Sequence, residues 1–256
     1  MPGASARARH IAARNTLVAK SRWSPVVTGV FEPFLYLLSV GVGVSVLVGD
    51  IVFDGRTYDY TTFVAPAMLA SAAMSGAIAE STYSTYGKFK WDKTYEAMTA
   101  TPLTPGDIAV GELVYSQGRG SANSFVFLCA IVVLGLAESW WAILAFPAAV
   151  LIGVAFASAG LAAVTYMRTW EDFDKVLLVQ VSLFLFSATF YPLSVYPEPL
   201  QIIARFSPLY HGAALCRDLV LGTVGVDDLG HVAFLVVMSA VCLRLAAKRF
   251  AVLLYA

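Results

Sequence analysis

Charge is what this sequence has least of. Of its 256 residues only 13% are Asp, Glu, Lys or Arg, with 17 basic side chains against 17 acidic ones, and 59% are apolar. The mean hydropathy is +0.73. Soluble domains carry about 25% charged and about 45–50% apolar residues. A water-exposed fold of this composition lacks the polar surface to cover its core, and disorder, collagen-like repeats and a disulfide scaffold are excluded with it. The zero net charge leaves no basic surplus to neutralise phosphates, so nucleic acid is excluded as the main partner. Cysteine is equally scarce. Cys129, Cys216 and Cys242 lie far apart and give neither a metal-ligand spacing nor a complete disulfide set, so they read as small packing residues. The three histidines, His10, His211 and His231, are scattered. Nucleotide and hydrolase signatures are missing too. Gly87-Lys88 is the sole Gly-Lys pair, and Thr82 stands where a phosphate-binding loop needs its first glycine. No H-E-x-x-H or G-x-S-x-G occurs. No catalytic residue, metal ligand or cofactor is therefore assigned to this chain.

What is present is a series of long apolar runs. A bilayer's hydrocarbon core is about 30 Å thick and takes about 20 apolar helical residues to cross. Six stretches qualify, at about 25–47, 63–83, 121–136, 141–166, 176–192 and 232–246. The expected fold is an all-α integral membrane protein, with residues 1–24 as an N-terminal amphipathic interface helix and 25–256 as a six-span membrane domain. Cytoplasmic segments collect Lys and Arg. With the N-terminus inside, Arg7, Arg9, Arg14, Lys20, Arg22, Lys88, Lys90, Lys93, Arg119, Arg168, Lys175, Arg244, Lys248 and Arg249 fall inside, and only Arg56, Arg205 and Arg217 outside. An even number of spans then puts both termini in the cytoplasm.

Two segments are more than connections. The first, Tyr86 to Gly120, is far longer than the 2–8 residues that usually join helices. Asp92 as a cap and Pro102 and Pro105 as stops predict a short helix over Asp92 to Ala100. Tyr95 and Met98 on it either form an apolar knob for a partner or fold back on their own chain. Beyond Pro105, Asp107 to Tyr115 leads back toward the membrane, with Asp107 favoured at a helix start. The second segment runs from Tyr191 to His231. Pro192, Pro197 and Pro199 end the fifth span, and Ser207-Pro208 reads as an N-cap followed by proline at the first helical position, opening a helix that Gly222 stops. Neither Pro199 to Phe206 nor Pro208 to Leu221 is long enough to cross, which predicts re-entrant outer helices, or else a soluble cap. Within the spans, Glu32, beside the helix-kinking Pro33, either lines a polar cavity, pairs with Arg168 or reaches back to the head groups. Glu80 lies near the inner end of the second span. The small-residue ladders Ala67, Ser71, Ser75, Ala79 and Ala155, Ala159, Ala163, with Gly153 and Gly160 nearby, predict close-packed seams.

The order of these parts resembles a known family. F-E-P-F-L-Y-L-L-S-V-G-V-G (Phe31 to Gly43), K-T-Y-E-A-M-T-A-T-P-L (Lys93 to Leu103), D-I-A-V-G-E-L (Asp107 to Leu113) and F-S-P-L-Y-H (Phe206 to His211) are similar to membrane subunits of type-2 ABC transporters, above all the permeases of nodulation lipo-chitooligosaccharide and daunorubicin-type drug exporters. The resemblance implies a dimer with a second permease copy or homologue, joined to two separate ATPase subunits that bind the ATP and Mg. It implies a coupling helix in which Lys93, Thr94, Tyr95, Glu96, Met98 and Thr101 meet the ATPase, and a connecting helix over residues 6–22. It also implies outer helices, with Pro199, Phe206, Pro208, Tyr210 and His211, near the substrate exit. Export of an amphipathic molecule (a lipo-oligosaccharide, lipid-linked glycan or drug) across the bacterial cytoplasmic membrane is the expected activity. Glu32, Tyr36, Phe184, Phe186 and Phe190 are candidates for the substrate path. Two alternatives stand beside it: an ion-coupled secondary transporter, which the unmatched halves and interfacial acids disfavour, and a membrane scaffold that transports nothing.

Overall fold

The computed structural model describes residues 11–16, 34–35 and 37–255. Glu32 and Tyr36, most of the first span and most of the amphipathic N-terminal segment lie outside the described residues; of that segment, residues 11–16 are helical.

The end of the first span is a π-helical turn, Leu37–Val42, running into helix α1, Gly43–Val48. A hairpin follows that apolar scanning does not detect: strands β1, Asp50–Phe53, and β2, Arg56–Asp59, pair antiparallel with Ile51 opposite Tyr58 and Phe53 opposite Arg56. Its turn is Asp54-Gly55, both at positive φ (49° and 72°), the geometry of a two-residue turn that suits strand twist. Among the described residues the fold is helical, consistent with the expected all-α membrane protein, and this short hairpin is added to it. Asp59 then caps helix α2, Tyr60–Lys90, by accepting from the Thr61 N–H at 2.8 Å.

Helix α3, Thr94–Thr99, is short. Helix α4 runs unbroken over Pro105–Val133, so the expected lead-in Asp107 to Tyr115 and the span 121–136 are one 29-residue helix. Thr104 and Asp107 close a reciprocal capping box at its start, with Pro105 in the first turn where no N–H is needed. A 3-10 turn, Trp140–Leu144, precedes helix α5, Ala145–Val164. Helix α6, Asp172–Phe186, helices α7, Glu198–Phe206, and α8, Pro208–Leu221, and the long helix α9, Asp227–Tyr255, complete the chain. Three of these are long and apolar enough to cross a membrane: α2, Trp140–Val164 and α9. Helix α4 has the length, about 43 Å at the helical rise, but its first half carries Asp107, Glu112, Gln117 and Arg119. Helix α6, at 15 residues, covers only about 22 Å as helix.

The core lies among α2, α4, α5, α8 and α9. Glycines permit its closest approaches. A Cβ on Gly160 would lie 2.1 Å from the Ser81 Oγ of α2, and one on Gly153 would lie 2.6 Å from Gln117 of α4. The seam on α5 thus follows Gly153 and Gly160. Ala163, the third member of the expected ladder, is exposed. Helix α6 lies at the edge of this core, packing on it through Val176, Leu183 and Phe184, with Phe173 as its single fully buried residue. We call the end carrying Lys88, Lys90 and Lys93 the inner end and the hairpin end the outer one. At the inner end Tyr83, Tyr86, Trp91, Trp170 and Phe173 form a continuous aromatic cluster, the kind of belt found at membrane–water interfaces.

Candidate functional site

Helix α3 does not start as the sequence implies. Its preceding residue is Lys93, in the left-handed region at φ 48°, and no side chain caps it. Asp92 is instead part of a tight reversal in which the Trp91 and Asp92 N–H groups both donate to the Gly87 carbonyl, at 2.9 and 3.0 Å. That reversal folds α3 back against the chain. Of the two alternatives for Tyr95 and Met98, the structure takes the second: they are 1% and 8% exposed. The Tyr95 ring packs edge-on against Phe89, centroids 4.6 Å apart, and against Phe250 near the end of α9, at 5.6 Å. The outward face carries Lys93, Glu96, Ala97, Ala100 and Thr101, while Thr94 is half-buried.

Behind Tyr95 lies a residue the sequence reading passed over. Glu112 of α4 is 2% exposed, and its carboxylate accepts from Lys88 Nζ at 2.5 Å and from Asn15 Nδ2 at 3.0 Å. The Tyr95 hydroxyl faces Thr85 and Glu112, and burial, helped by the Glu112 charge, pushes its phenol well above the ordinary range. One buried carboxylate thus joins the N-terminal segment, the end of α2 and α4, with Tyr95 of α3 packed beside it and its hydroxyl buried without a hydrogen-bond partner among the described residues. The available signal was positional. Glu112 follows Ile108 by four residues, on the face that α4 buries, and an acid there needs a partner.

A second feature is a groove of about 560 Å³ between α2, α4 and α6. Met68, Ile78, Leu177, Val181, Phe184 and Leu185 give it apolar walls. Its polar groups are Ser71, Ser75, Gln180, Asn123 and, toward the inner end, the pair Arg119 and Glu80, whose Nε and Oε1 are 3.3 Å apart. Gln180 Nε2 donates to Ser75 Oγ at 3.0 Å, and the Asn123 Oδ1 is buried without a partner. The α2 ladder therefore serves two purposes. Ala67 is packed, whereas Ser71, Ser75 and Ala79 face the groove. Of the aromatic path residues, Phe184 lines the groove, Phe190 sits behind it at 5.1 Å between centroids, and Phe186 is turned to the exposed surface.

At the outer end, α7 and α8 have the bounds expected from their prolines, but they are not equivalent. Helix α7 lies on the surface with Ile202, Ile203 and Phe206 exposed, as is Pro199 beside its start. Helix α8 is wedged among α2, α5 and α9, which satisfies its backbone in protein rather than in lipid. Pro208 is half-buried at its first turn. Tyr210 and His211 are half-buried as well, and His211 Nδ1 is 2.7 Å from His231 Nδ1 of α9. Ser207 does not cap α8 with its side chain. Its hydroxyl meets that of Ser187 at 2.5 Å.

Helix α6 also ends earlier than Pro192 predicts. It stops at Phe186, and Ala188 takes a left-handed conformation at φ 54°, which costs a non-glycine residue roughly 1–2 kcal/mol. Arg217 of α8 explains the break. Counted in the sequence as an outer-loop cation, it is 3% exposed and donates to the carbonyls of Ala188 (3.0 Å), Thr189 (3.4 Å) and Phe63 (3.3 Å), with its guanidinium 4.0 Å from the centre of the Phe63 ring. A buried cation that binds carbonyls at the C-terminal end of a helix also meets the negative end of its dipole.

Comparison with known proteins fits these parts. A family model described as ABC-2 type transporter matches residues 7–221. The chain is 34% identical over 206 residues to nodulation protein J of Rhizobium leguminosarum bv. viciae, covering 79% of this chain and 77% of that protein. The protein of the same name in R. leguminosarum bv. trifolii is 32% identical over 236 residues, covering 91% and 88%. That of Rhizobium meliloti (strain 1021) is 31% identical over 195 residues, covering 75% and 72%.

Proposed function

The chain belongs to the ABC-2 type transporter family, as the membrane subunit of an ABC exporter, and on that premise we propose how it is coupled and what it carries. It works in a pair with a second copy or homologue, in the bacterial cytoplasmic membrane with both termini inside. Two separate ATPase subunits bind the ATP and Mg. Helix α3 is the coupling helix. Lys93, Thr94, Glu96 and Thr101 meet the ATPase, while Tyr95 and Met98 receive the displacement from the inner side and pass it on. The observation that carries this reading is the burial of Tyr95 against Phe89 of α2 and Phe250 of α9, beside the Glu112–Lys88–Asn15 cluster, because a helix moved at its outward face displaces those rings and the elements that carry them. The groove between α2 and α6 is the path for an amphipathic molecule. Its apolar walls suit a chain or ring system, and Ser75, Gln180, Asn123 and the Glu80–Arg119 pair suit a polar head, as in a lipo-oligosaccharide, a lipid-linked glycan or a drug.

The test is affinity purification of the full chain co-expressed with its candidate ATPase. The unaltered chain should bring the ATPase down. Ala97→Trp, on the outward face of α3, should abolish recovery while leaving the chain in the membrane. Undiminished recovery with Ala97→Trp would remove α3 from the contact.

A further inference from the structure

The geometry points to Arg217 as the residue that holds the outer mouth of the α2–α6 groove shut. The outermost α2 residue lining that groove is Met68, and the last lining residue of α6 is Leu185. The carbonyls that Arg217 binds lie just beyond both. Phe63 precedes Met68 by five residues, about 7 Å along the helix, and Ala188 and Thr189 follow Leu185 by three and four residues. One guanidinium therefore bridges the two walls of the groove across its outer end, from a third element, α8. Three further observations agree. Ser187, beside Ala188, meets Ser207 at the start of α8, so a second polar contact closes the same seam. Ala188 is held in a strained conformation, and strain of this kind persists only where surroundings impose it. The other attachments of α6 lie inward of its C-terminal end, at Phe173, Val176, Gln180, Leu183 and Phe184, so this seam fixes where the chain goes beyond it. A cation at this depth is costly unless it has a task. No carboxylate forms an ion pair with Arg217 among the described residues, and its donors go to backbone carbonyls that a shift of α6 would withdraw. Arg217 is thus a positioning residue: it keeps α6 against α2 at the outer end, and its bonds part when the outer mouth opens.

This inference rests on the exporter reading, which requires an outer mouth, but its test needs no ATPase. Cys216 is fully enclosed on α8, next in sequence to Arg217, and becomes reachable only when α8 loosens from the elements around it. In membranes holding the full chain with Cys129→Ala and Cys242→Ala, a membrane-impermeant maleimide applied from the outer side should leave Cys216 unlabelled. Arg217→Gln should raise the labelling rate about tenfold, the shift expected from losing one charge-assisted hydrogen bond. Arg217→Lys, which keeps the charge, should fall between the two. In the Arg217→Gln protein, Ser187→Cys with Ser207→Cys, oxidised to a disulfide, should return labelling to the starting rate. Unchanged labelling in Arg217→Gln overturns the proposal. So does raised labelling that the disulfide does not reverse, which means general unfolding, or a cysteine pair that fails to oxidise, which means the two positions are not held together. Failure of this test leaves the ATPase contact at α3 untouched, and loss of that contact leaves this test intact.

Discussion

Replacing Glu112 by alanine should expose how much the inner cluster contributes. The Lys88 and Glu112 side chains are 13% and 2% exposed, and their ion pair is 2.5 Å long. Removing one partner of a buried pair costs about 3–5 kcal/mol because the other charge is stranded. Lys88 lies near the end of α2 and retains some access to water, which places Glu112→Ala at the lower end, about 3 kcal/mol. For a chain of this size that lowers Tm by about 6–12 °C. Removing both charges, as Lys88→Met with Glu112→Leu, should recover most of the loss, because well-packed apolar replacements of a buried pair are often neutral. Asn15 still loses its partner in that double variant. Its stability should return while ATP-driven transport stays low. The measurement is thermal unfolding of the purified chain in detergent or nanodiscs for the four members of the cycle, with ATP hydrolysis and transport by the assembled exporter alongside. A Glu112→Ala protein within about 1 °C of the unaltered one would refute the energetic argument. A double variant as unstable as the single would show that the pair is not the source of the cost.

Gly160→Ala should destabilise by about 1–3 kcal/mol through overpacking, since its Cβ would lie 2.1 Å from Ser81 Oγ; Ser81→Ala should restore part of this in a chemical-denaturation series. Tyr95→Ala should cost about 3–5 kcal/mol in the same assay as a buried aromatic is deleted, whereas Tyr95→Phe keeps the packing against Phe89 and Phe250 and should change little. Because the folded chain raises the Tyr95 pKa, stability from its buried neutral phenol is full below the unfolded value near 10 and is lost as pH rises through the folded value. Tyr95→Phe should therefore flatten the alkaline limb of a stability–pH curve and leave the curve below pH 9 unchanged, and an unflattened limb would count against that assignment. Thr104→Ala should remove one side of the capping box of α4 and cost about 1 kcal/mol, read as a lower unfolding midpoint.

What could be read from sequence was what local chemistry sets. The bounds of α7 and α8 follow from Pro199, Ser207-Pro208 and Gly222, each acting within a turn of its own position. The start of α4 near Asp107 was legible for the same reason, although Pro105 opens the helix rather than only ending the one before it. The unity of α4 was not, because an apolar scan treats Gln117 to Gly120 as a boundary, whereas a helix already stabilised on both sides accepts a polar stretch. The hairpin at Asp50 to Asp59 is too short for a span-length window, although Asp54-Gly55 between β-branched and aromatic residues is a strong turn signal. The end of α6 and the burial of Arg217 were illegible in principle, because the break at Ala188 is enforced by a side chain about 30 residues further on. The same holds for Glu112, whose partners come from residues 15 and 88. Of the candidate site, the position of α3 was legible and its facing was not, because facing depends on the reversal at Gly87 and on Phe250 at the far end of the chain.

Phe250, packed on Tyr95 and Phe89, makes α9 a lever. Helix α3 has six residues, too few to hold its shape alone, so it behaves as a handle fixed to whatever it touches. The rod it grips runs unbroken from Phe250 to His231, about 28 Å of helix. A tilt of about 10° pivoting at the inner end swings His231 through about 5 Å. That is more than the 2.7 Å contact with His211 tolerates, so such a tilt would loosen α8 at the opposite end of the bundle without any intermediate joint.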